Sequence, residues 1–243
     1  MSAAPARPTL YLLPAPIGDR LEDLAVVVVK QLRQAQHLVF EERGGYPERL
    51  AALDMLAPDA VCVYLTDPEA INTATSWLQA GHSVTLTASS GLPCFVDPGG
   101  ALVDWALDQG PSRVRVEPLG VSSALDAILC VSGVNLHSFH FAGHLPEHVR
   151  WPRLTRRQRV PIALYVRGEA LPALARAIDA LPGSWRLTLG EALRTRGGGQ
   201  IVRHTADHWA GHPALVPRPG RDLVAFLDPV LRRRSWPWPW PWR

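Results

Sequence analysis

The sequence predicts an α/β protein with a mostly parallel β-sheet in its first half and a mixed α/β second half. Strand-like and helix-like segments alternate through the first half, a pattern typical of parallel sheets covered by helices. The 243 residues are 47% hydrophobic and 19% charged, so the chain can build a core and is not disordered. This length accommodates one large domain or two small ones.

Apolar spacing and helix-end signals place the elements of the first half. The apolar residues Leu21, Leu24, Val28, Leu32 and Ala35 recur on one face of a helix predicted over 21–35. A second helix, over 68–80, has proline near its start and glycine just past its end, the asymmetry expected of helices. The remaining predictions are a helix over 101–109 and strands over 9–13, 37–40, 61–65, 83–87 and 113–116.

The segment Pro118-Leu119-Gly120 predicts a hinge at the start of the second half. The next helix is predicted over 122–131, beginning at a serine cap. A polar and basic stretch over 143–159 predicts a loop or a frayed helix. The other predictions are a helix over 171–181 and strands over 138–141, 162–166, 186–189 and 223–227. The expected division is an extension (1–8), two α/β domains (9–117 and 118–231) and a tail (232–243).

Residues 81–100 form the most informative stretch for function. An apolar strand breaks into a loop of small residues (Ala88 to Pro93), and a helix follows from about Ala101. Small side chains let a ligand reach the backbone, and the helix start offers free N–H groups. The stretch therefore predicts a pocket for a nucleotide-like ligand. Its spacing is not G-x-G-x-x-G, which disfavours NAD.

Four segments occur in a specific order along the chain. They are LYLLPAPIGD at 10–19 with LEDL at 21–24, GLPCFVDPG at 91–99, PLGVSSA at 118–124, and SGV at 132–134 with SFHFAGHLP at 138–146. In this order they resemble the tetrapyrrole (corrin/porphyrin) methylase superfamily. Within it, they look most like the branch of ribosomal RNA small subunit methyltransferase I, which methylates a ribose 2′-oxygen. The resemblance covers about residues 9 to 228.

The resemblance implies a two-domain fold that holds S-adenosylmethionine in the cleft between the domains, and a homodimer. Carried onto this chain, it implies that the cofactor contacts Pro16, the segments 90–93, 122–124 and 191–193, and three further residues. The individual positions are Ser90, Gly91, Leu92, Pro93, Phe95, Ser122, Ser123, Ala124, Tyr165, Val166, Glu191, Ala192 and Leu193. A neutral nucleoside with a sulfonium centre suits such small, apolar and hydroxyl groups. Methyl transfer is an in-line displacement that depends largely on proximity and alignment.

Removal of a proton from a ribose hydroxyl benefits from a base, for which Glu41 and Glu42 are the candidates. Arg43 and Arg167 are expected to position RNA, and Arg156 and Arg157 lie in the basic stretch best suited to a polyanion. The expected partner is therefore ribosomal RNA.

Departures from the branch leave other functions open. Ser89 stands where the branch usually has a carboxylate, and the runs at 41–45, 66–68 and 165–169 also differ from its pattern. The alternatives are a paralogue that binds S-adenosylmethionine or a protein without catalysis, a tetrapyrrole methylase, or a peptide-backbone methylase. The alternating Trp-Pro tail predicts an extended segment. Three interpretations of the tail stay open. It is a disordered extension, a segment that binds a partner or stacks on nucleic-acid bases, or a peptide that the same chain methylates.

The net charge and the cysteine and histidine content limit the partners, the compartment and the metal sites that are expected. A net charge of +3 permits a polyanionic partner without requiring one. No apolar run approaches a membrane span, and the first residues lack a signal-peptide core, so a cytoplasmic protein with buried free thiols is expected. His204, His208 and His212 are four apart and share a face if helical. Gly211 and Pro213 interrupt that helix, so no metal site is predicted.

Overall fold

The computed structural model describes residues 7–95, 98–134, 136–145, 151, 160–193 and 199–230. Two five-stranded sheets with helices packed on them confirm the predicted α/β class. The Trp-Pro tail and the arginines at 150–159 lie outside the described residues. No described helix combines the length and the hydropathy needed to cross a bilayer.

The first sheet is entirely parallel, in the order β3-β2-β4-β1-β5. Its strands β1 and β4 are buried along almost their whole length, as expected of a parallel sheet covered on both faces. A 3-10 turn at Leu21–Asp23 takes the place of the first turn of the helix predicted over 21–35, and the helix α2 is additional to the predicted elements. The elements are β1 Thr9–Leu13, α1 Val26–Gln34, β2 His37–Phe40, α2 Tyr46–Ala52, β3 Val61–Tyr64, α3 Ala70–Gln79, β4 Val84–Thr87, α4 Gly100–Gln109 and β5 Arg115–Pro118.

The second sheet is mixed, in the order β6-β7-β10-β8-β9. Only β6 and β7 run parallel, and the other neighbours are antiparallel. The elements are α5 Ala124–Cys130, β6 His140–Leu145, β7 Ile162–Arg167, α6 Leu171–Asp179, β8 Trp185–Glu191, β9 Gln200–Thr205 and β10 Asp222–Pro229, with 3-10 turns at Gly168–Ala170 and Pro213–Leu215.

One apolar core joins the two sheets. It contains Leu10 and Val39 of the first sheet, Ile128 of α5, and Ala163 and Phe226 of the second sheet. A separate core lies between the other face of the second sheet and α6. The helix α5 packs on the second sheet, and its apolar residues belong to this shared core.

Several predicted boundaries shift for local reasons. The helix predicted over 21–35 is broken because Leu24 and Ala25 have extended backbone, so α1 starts at Val26. The helix predicted from Ser122 starts at Ala124, because Ser123 is the residue that caps it. The strand β9 was not predicted from the sequence, although it pairs with β8 over six residues.

Buried ion pairs connect α4 to the second sheet. The Asp104 Oδ1 atom accepts hydrogen bonds from Arg203 Nη1 at 2.6 Å and from Arg186 Nη1 at 2.8 Å. Arg186 also pairs with Asp228. The Arg203 side chain is only 3% exposed and donates to the Ser132 carbonyl at 3.0 Å. These contacts reach α4 from β8 and β9, and Asp228 of β10 holds Arg186, so they set how the first sheet's last helix sits on the second sheet.

Gly133 makes room for this arginine. Its φ of +69° is in the left-handed region, and an added Cβ would lie 2.2 Å from Arg203 Nη2. The glycine in the Ser132-Gly133-Val134 segment is therefore required both by its backbone conformation and by the approach of the guanidinium.

Replacement of Arg203 by methionine is expected to lower the free energy of unfolding by about 3 kcal/mol, because it leaves buried polar partners uncompensated. The matched control is Arg20→Met, whose side chain is 68% exposed and whose loss should cost less than about 1 kcal/mol. Denaturant unfolding of both variants measures the difference. Equal midpoints for the two variants would contradict a structural role for the Arg203 contacts.

Candidate functional site

The loops after β1 and β4 meet at the carboxyl edge of the first sheet. Ala15 and Gly91 exchange two backbone hydrogen bonds, of 2.9 and 3.1 Å. The chain leaves β1 toward β2 on one side of the sheet and leaves β4 toward β5 on the other. Ligands of α/β proteins bind where neighbouring connections diverge in this way. Pro16 and the loop 90–93, all predicted cofactor contacts, are brought together here.

A cavity of about 380 Å³ lies at one end of the second sheet, beside the first residue of α5. Four of the predicted cofactor residues line it: Ala124, Tyr165, Ala192 and Leu193. Its volume is in the range of small-molecule sites. The other lining residues carry no sequence signal that predicts them as site residues. They are His144, Gly190, Asp222, Leu223 and Val224. They lie at strand ends that only the sheet order brings together.

The lining of this cavity is small and apolar, with few polar groups. Gly190 keeps it open, because an added Cβ would lie 2.9 Å from Leu193 Cδ1 and 3.0 Å from Val224 Cγ1. Ala192 has a φ of +48°, which turns the chain out of β8. The Tyr165 ring and the Leu193 side chain offer flat apolar surface, and His144 and Asp222 offer hydrogen-bonding groups. Such a lining suits a neutral nucleoside.

The segment 122–124 begins α5 and borders the cavity through its last residue. The Ser123 hydroxyl accepts a hydrogen bond from the Asp126 N–H at 3.1 Å, and the Ser123 N–H donates to the Asp126 carboxylate at 3.2 Å. This capping box occupies Ser123 and leaves Ser122 exposed. Of the three predicted contacts here, only Ala124 lines the cavity.

Glu191 and Val166 lie differently from the other predicted contacts. The Glu191 carboxylate pairs with Arg218 Nη1 at 2.5 Å and faces a second cavity of about 570 Å³, which Arg7, Arg115 and Arg221 also line. Ala192 lines both cavities. Val166 is fully buried in the core against α6, so its side chain is not on the cavity lining.

The two candidate bases differ in their surroundings. The Glu41 Oε2 atom accepts a hydrogen bond from the Ser89 N–H at 3.1 Å, which brings the end of β2 to the loop after β4. Glu42 is exposed. Nearby, burial raises the pKa of Tyr46 to about 12, so its hydroxyl stays protonated at neutral pH. Glu41 is therefore the acid group held against the predicted cofactor loop.

The two predicted RNA-contacting arginines that the structure describes, Arg43 and Arg167, follow strands of different sheets. Arg43 donates to Asp67 Oδ2 at 2.7 Å, and its guanidinium lies 4.3 Å from the centre of the Tyr64 ring. Arg167 is exposed at the end of β7. Arg156 and Arg157 lie outside the described residues.

The three histidines do not share a helix face. His204 is on β9, His208 pairs with Asp179 at 3.0 Å, and the His212 Nδ1 atom accepts from the Ala214 N–H. The His204 and His212 rings are 5.6 Å apart, and burial, with a smaller effect of His212, lowers the pKa of His204. Within the described ranges, no three metal-ligating side chains cluster together.

The three cysteines were expected to be buried free thiols, and two of them are buried. Cys94 and Cys130 are fully buried, whereas Cys62 is half-buried. Burial raises the pKa of Cys62 and raises that of Cys130 further, so these thiols are poor nucleophiles.

Known proteins resemble this chain over most of its length. No family model matches it. The ribosomal RNA small subunit methyltransferase I of Mesorhizobium japonicum is 30% identical over 97% of this chain and 80% of that protein. The protein of the same name from Pseudomonas aeruginosa is 30% identical over 76% of this chain and 66% of its own length. The protein of that name from Halalkalibacterium halodurans is 29% identical over 63% of this chain and 52% of its own length.

Solved structures show a weaker likeness. Uroporphyrin-III C-methyltransferase from Thermus thermophilus, complexed with S-adenosylhomocysteine, is 22% identical and covers 90% of this chain and 91% of its own, with a TM-score of 0.35. A cobalt precorrin-4 methyltransferase is 13% identical; the match covers 89% of this chain and 94% of that protein, with a TM-score of 0.33. These scores are too low to assign a ligand.

Substitution of Ser123 by alanine is expected to destabilise the protein by about 1 kcal/mol, because the first turn of α5 loses its cap. Ser122→Ala is the matched control, and its exposed hydroxyl should contribute nothing measurable. Denaturant unfolding distinguishes the two. Equal loss in both variants would contradict the assignment of Ser123 as the cap.

Proposed function

This chain belongs to the ribosomal RNA small subunit methyltransferase I family, and we propose that it methylates a ribose 2′-hydroxyl of small-subunit ribosomal RNA. It is an S-adenosylmethionine-dependent methyltransferase. The observation that carries the proposal is the cavity between α5 and the second sheet, which Ala124, Tyr165, Ala192 and Leu193 line as the resemblance implies. We further propose that the protein acts in the cytoplasm as a homodimer.

The chemistry of the cavity fits the cofactor. An adenosine needs flat apolar walls and a few hydrogen-bonding groups, which Tyr165, Leu193 and His144 provide. The backbone of the loop at Gly91, bound to Ala15, would hold the opposite side. When bound, S-adenosylmethionine supplies an electrophilic methyl group on a sulfonium centre.

The protein's own contribution is alignment and proton removal. A nucleophilic oxygen must approach the methyl carbon in line, so rigid walls that fix both partners supply much of the rate. We assign the proton of the ribose hydroxyl to Glu41. Its Oε2 atom is held by the Ser89 N–H, so Oε1 is the atom that receives the proton. Arg43 and Arg167, with Arg156 and Arg157, would bind phosphate groups of the RNA.

Filling the cavity tests the cofactor site. Ala124→Trp places a large side chain at an exposed helix-start position, so the fold should persist while the affinity for S-adenosylmethionine falls at least tenfold. Ala51→Trp on α2 is the control, because Ala51 is also exposed but does not line the cavity. Titration calorimetry measures both. Equal affinities would place the cofactor elsewhere.

Transfer of methyl groups to ribosomal RNA tests the reaction. Purified protein, labelled S-adenosylmethionine and small ribosomal subunits from a bacterium lacking its own enzyme of this family should give labelled RNA. A 2′-O-methyl group removes the hydroxyl that attacks the adjacent phosphate, so alkaline hydrolysis should leave the label in a dinucleotide. Label in mononucleotides would indicate base methylation. Cofactor binding with no labelled RNA would favour the non-catalytic alternative.

The same assay separates the two carboxylates. Glu41→Gln should lower kcat by about 100-fold, since it removes the base while keeping the side chain's shape. Glu42→Gln should leave kcat nearly unchanged, and neither variant should alter the affinity for S-adenosylmethionine. A larger loss in the Glu42 variant would reassign the base.

A further inference from the structure

Four aromatic side chains form two ring pairs, one between the loop after β4 and the residue before β6, the other between β6 and β7. The Phe95 and Phe139 ring centres are 6.4 Å apart at 74°, and those of Phe141 and Tyr165 are 5.5 Å apart at 78°. Both pairs have the edge-to-face geometry that aromatic rings prefer. We call Phe95, Phe139, Phe141 and Tyr165 the aromatic rim.

Strand register places the rim on the cavity side of the second sheet. Phe141 pairs laterally with Ala163, which is buried in the core shared by the two sheets. Laterally paired residues lie on the same face, and so do residues two apart on one strand. Phe141 and Tyr165 therefore face the first sheet and α5, and Phe139, just before β6, packs against the same core. Tyr165 also lines the 380 Å³ cavity, so the rim continues directly from the cavity wall.

The rim carries the exposed phenylalanines of this chain. Of the five phenylalanines, Phe40 and Phe226 are buried and Phe139 is partly buried. The two exposed ones, Phe95 at 40% and Phe141 at 43%, are both on the rim, and each packs against a partly buried ring. A phenyl ring has no polar group that benefits from water, so these two rings offer a surface that a partner can cover.

We propose that Phe95 and Phe141 stack the base of the RNA nucleotide whose ribose is methylated. This rests on the proposed function. Unpaired RNA bases stack on aromatic side chains, and such stacking tolerates any base. A base on the rim leaves its attached ribose between the rim and the cavity, because Tyr165 belongs to both. The rim thus positions the acceptor through a contact that involves no phosphate.

The test compares four variants with the wild-type protein. Phe141→Ala and Phe95→Ala remove a ring, Phe141→Leu keeps an apolar side chain without a ring, and Phe141→Tyr keeps the ring. Leu53→Ala is the control, since Leu53 is 54% exposed and does not belong to the rim. The measurements are the Kd for small-subunit ribosomal RNA over a range of salt concentrations, the KM for methyl transfer, and the Kd for S-adenosylmethionine.

Loss of a ring should raise the RNA Kd and the KM about tenfold, in Phe141→Leu as in the alanine variants. The slope of RNA affinity against salt should not change, because no phosphate contact is lost. The RNA Kd and the KM of Phe141→Tyr and of the Leu53 control should stay near wild type. So should the unfolding midpoint of every variant and the affinity of the Phe141 variants for S-adenosylmethionine. Phe95→Ala is left out of the last comparison, because Phe95 is also an expected cofactor contact.

Three results would overturn the proposal. Wild-type RNA affinity and KM in Phe141→Ala and Phe95→Ala would exclude stacking while leaving methyl transfer intact. A changed oligomer mass with unchanged RNA binding would show that a second copy covers the rim. Absence of RNA binding and RNA methylation by the wild-type protein would instead refute the proposed function on which the rim depends.

Discussion

The fit of the second sheet against α4 depends on one contact, that of Arg203 with Asp104 and the Ser132 carbonyl. The Arg203 side chain is 3% exposed and both of its Nη atoms have protein partners, so its position tolerates little displacement. Those partners lie on α4 and just after α5, whereas Arg203 itself is on β9. The cavity takes Ala124 from α5 and its other walls from the second sheet. Its shape therefore depends on the relation that these ion pairs fix.

Two different requirements meet at the carboxyl edge of the first sheet. The cofactor side needs small residues and backbone groups, and the Ala15–Gly91 pairing provides a rigid backbone corner. The acceptor side needs a base and a surface for RNA. Glu41 is held on the Ser89 N–H, and exposed rings are offered by Phe95 of the same loop and by Phe141 of the second sheet. Ser89 contributes its backbone N–H to the carboxylate of Glu41 rather than a carboxylate of its own.

The sequence alone predicts an element correctly where its local pattern agrees with its tertiary surroundings. The strands at 9–13 and 37–40 were predicted with their observed bounds, because they are continuous apolar runs of a parallel sheet. The strand β9 was missed because it carries Arg203 and His204, whose burial depends on partners far along the chain. Of the candidate site, Ala124, Tyr165, Ala192 and Leu193 were predicted through family resemblance. His144 and Asp222 were not, since no sequence spacing relates strand ends that meet only through sheet order.

A crystal structure of the protein with S-adenosylhomocysteine would test the proposed cofactor site directly. We expect the adenosine in the cavity lined by Ala124, Tyr165 and Leu193, with the amino-acid part against the loop at Gly91. The sulfur should then face the opening between Glu41 and the aromatic rim. Adenosine in the larger cavity lined by Arg7, Arg115 and Arg221, with the smaller cavity empty, would contradict it.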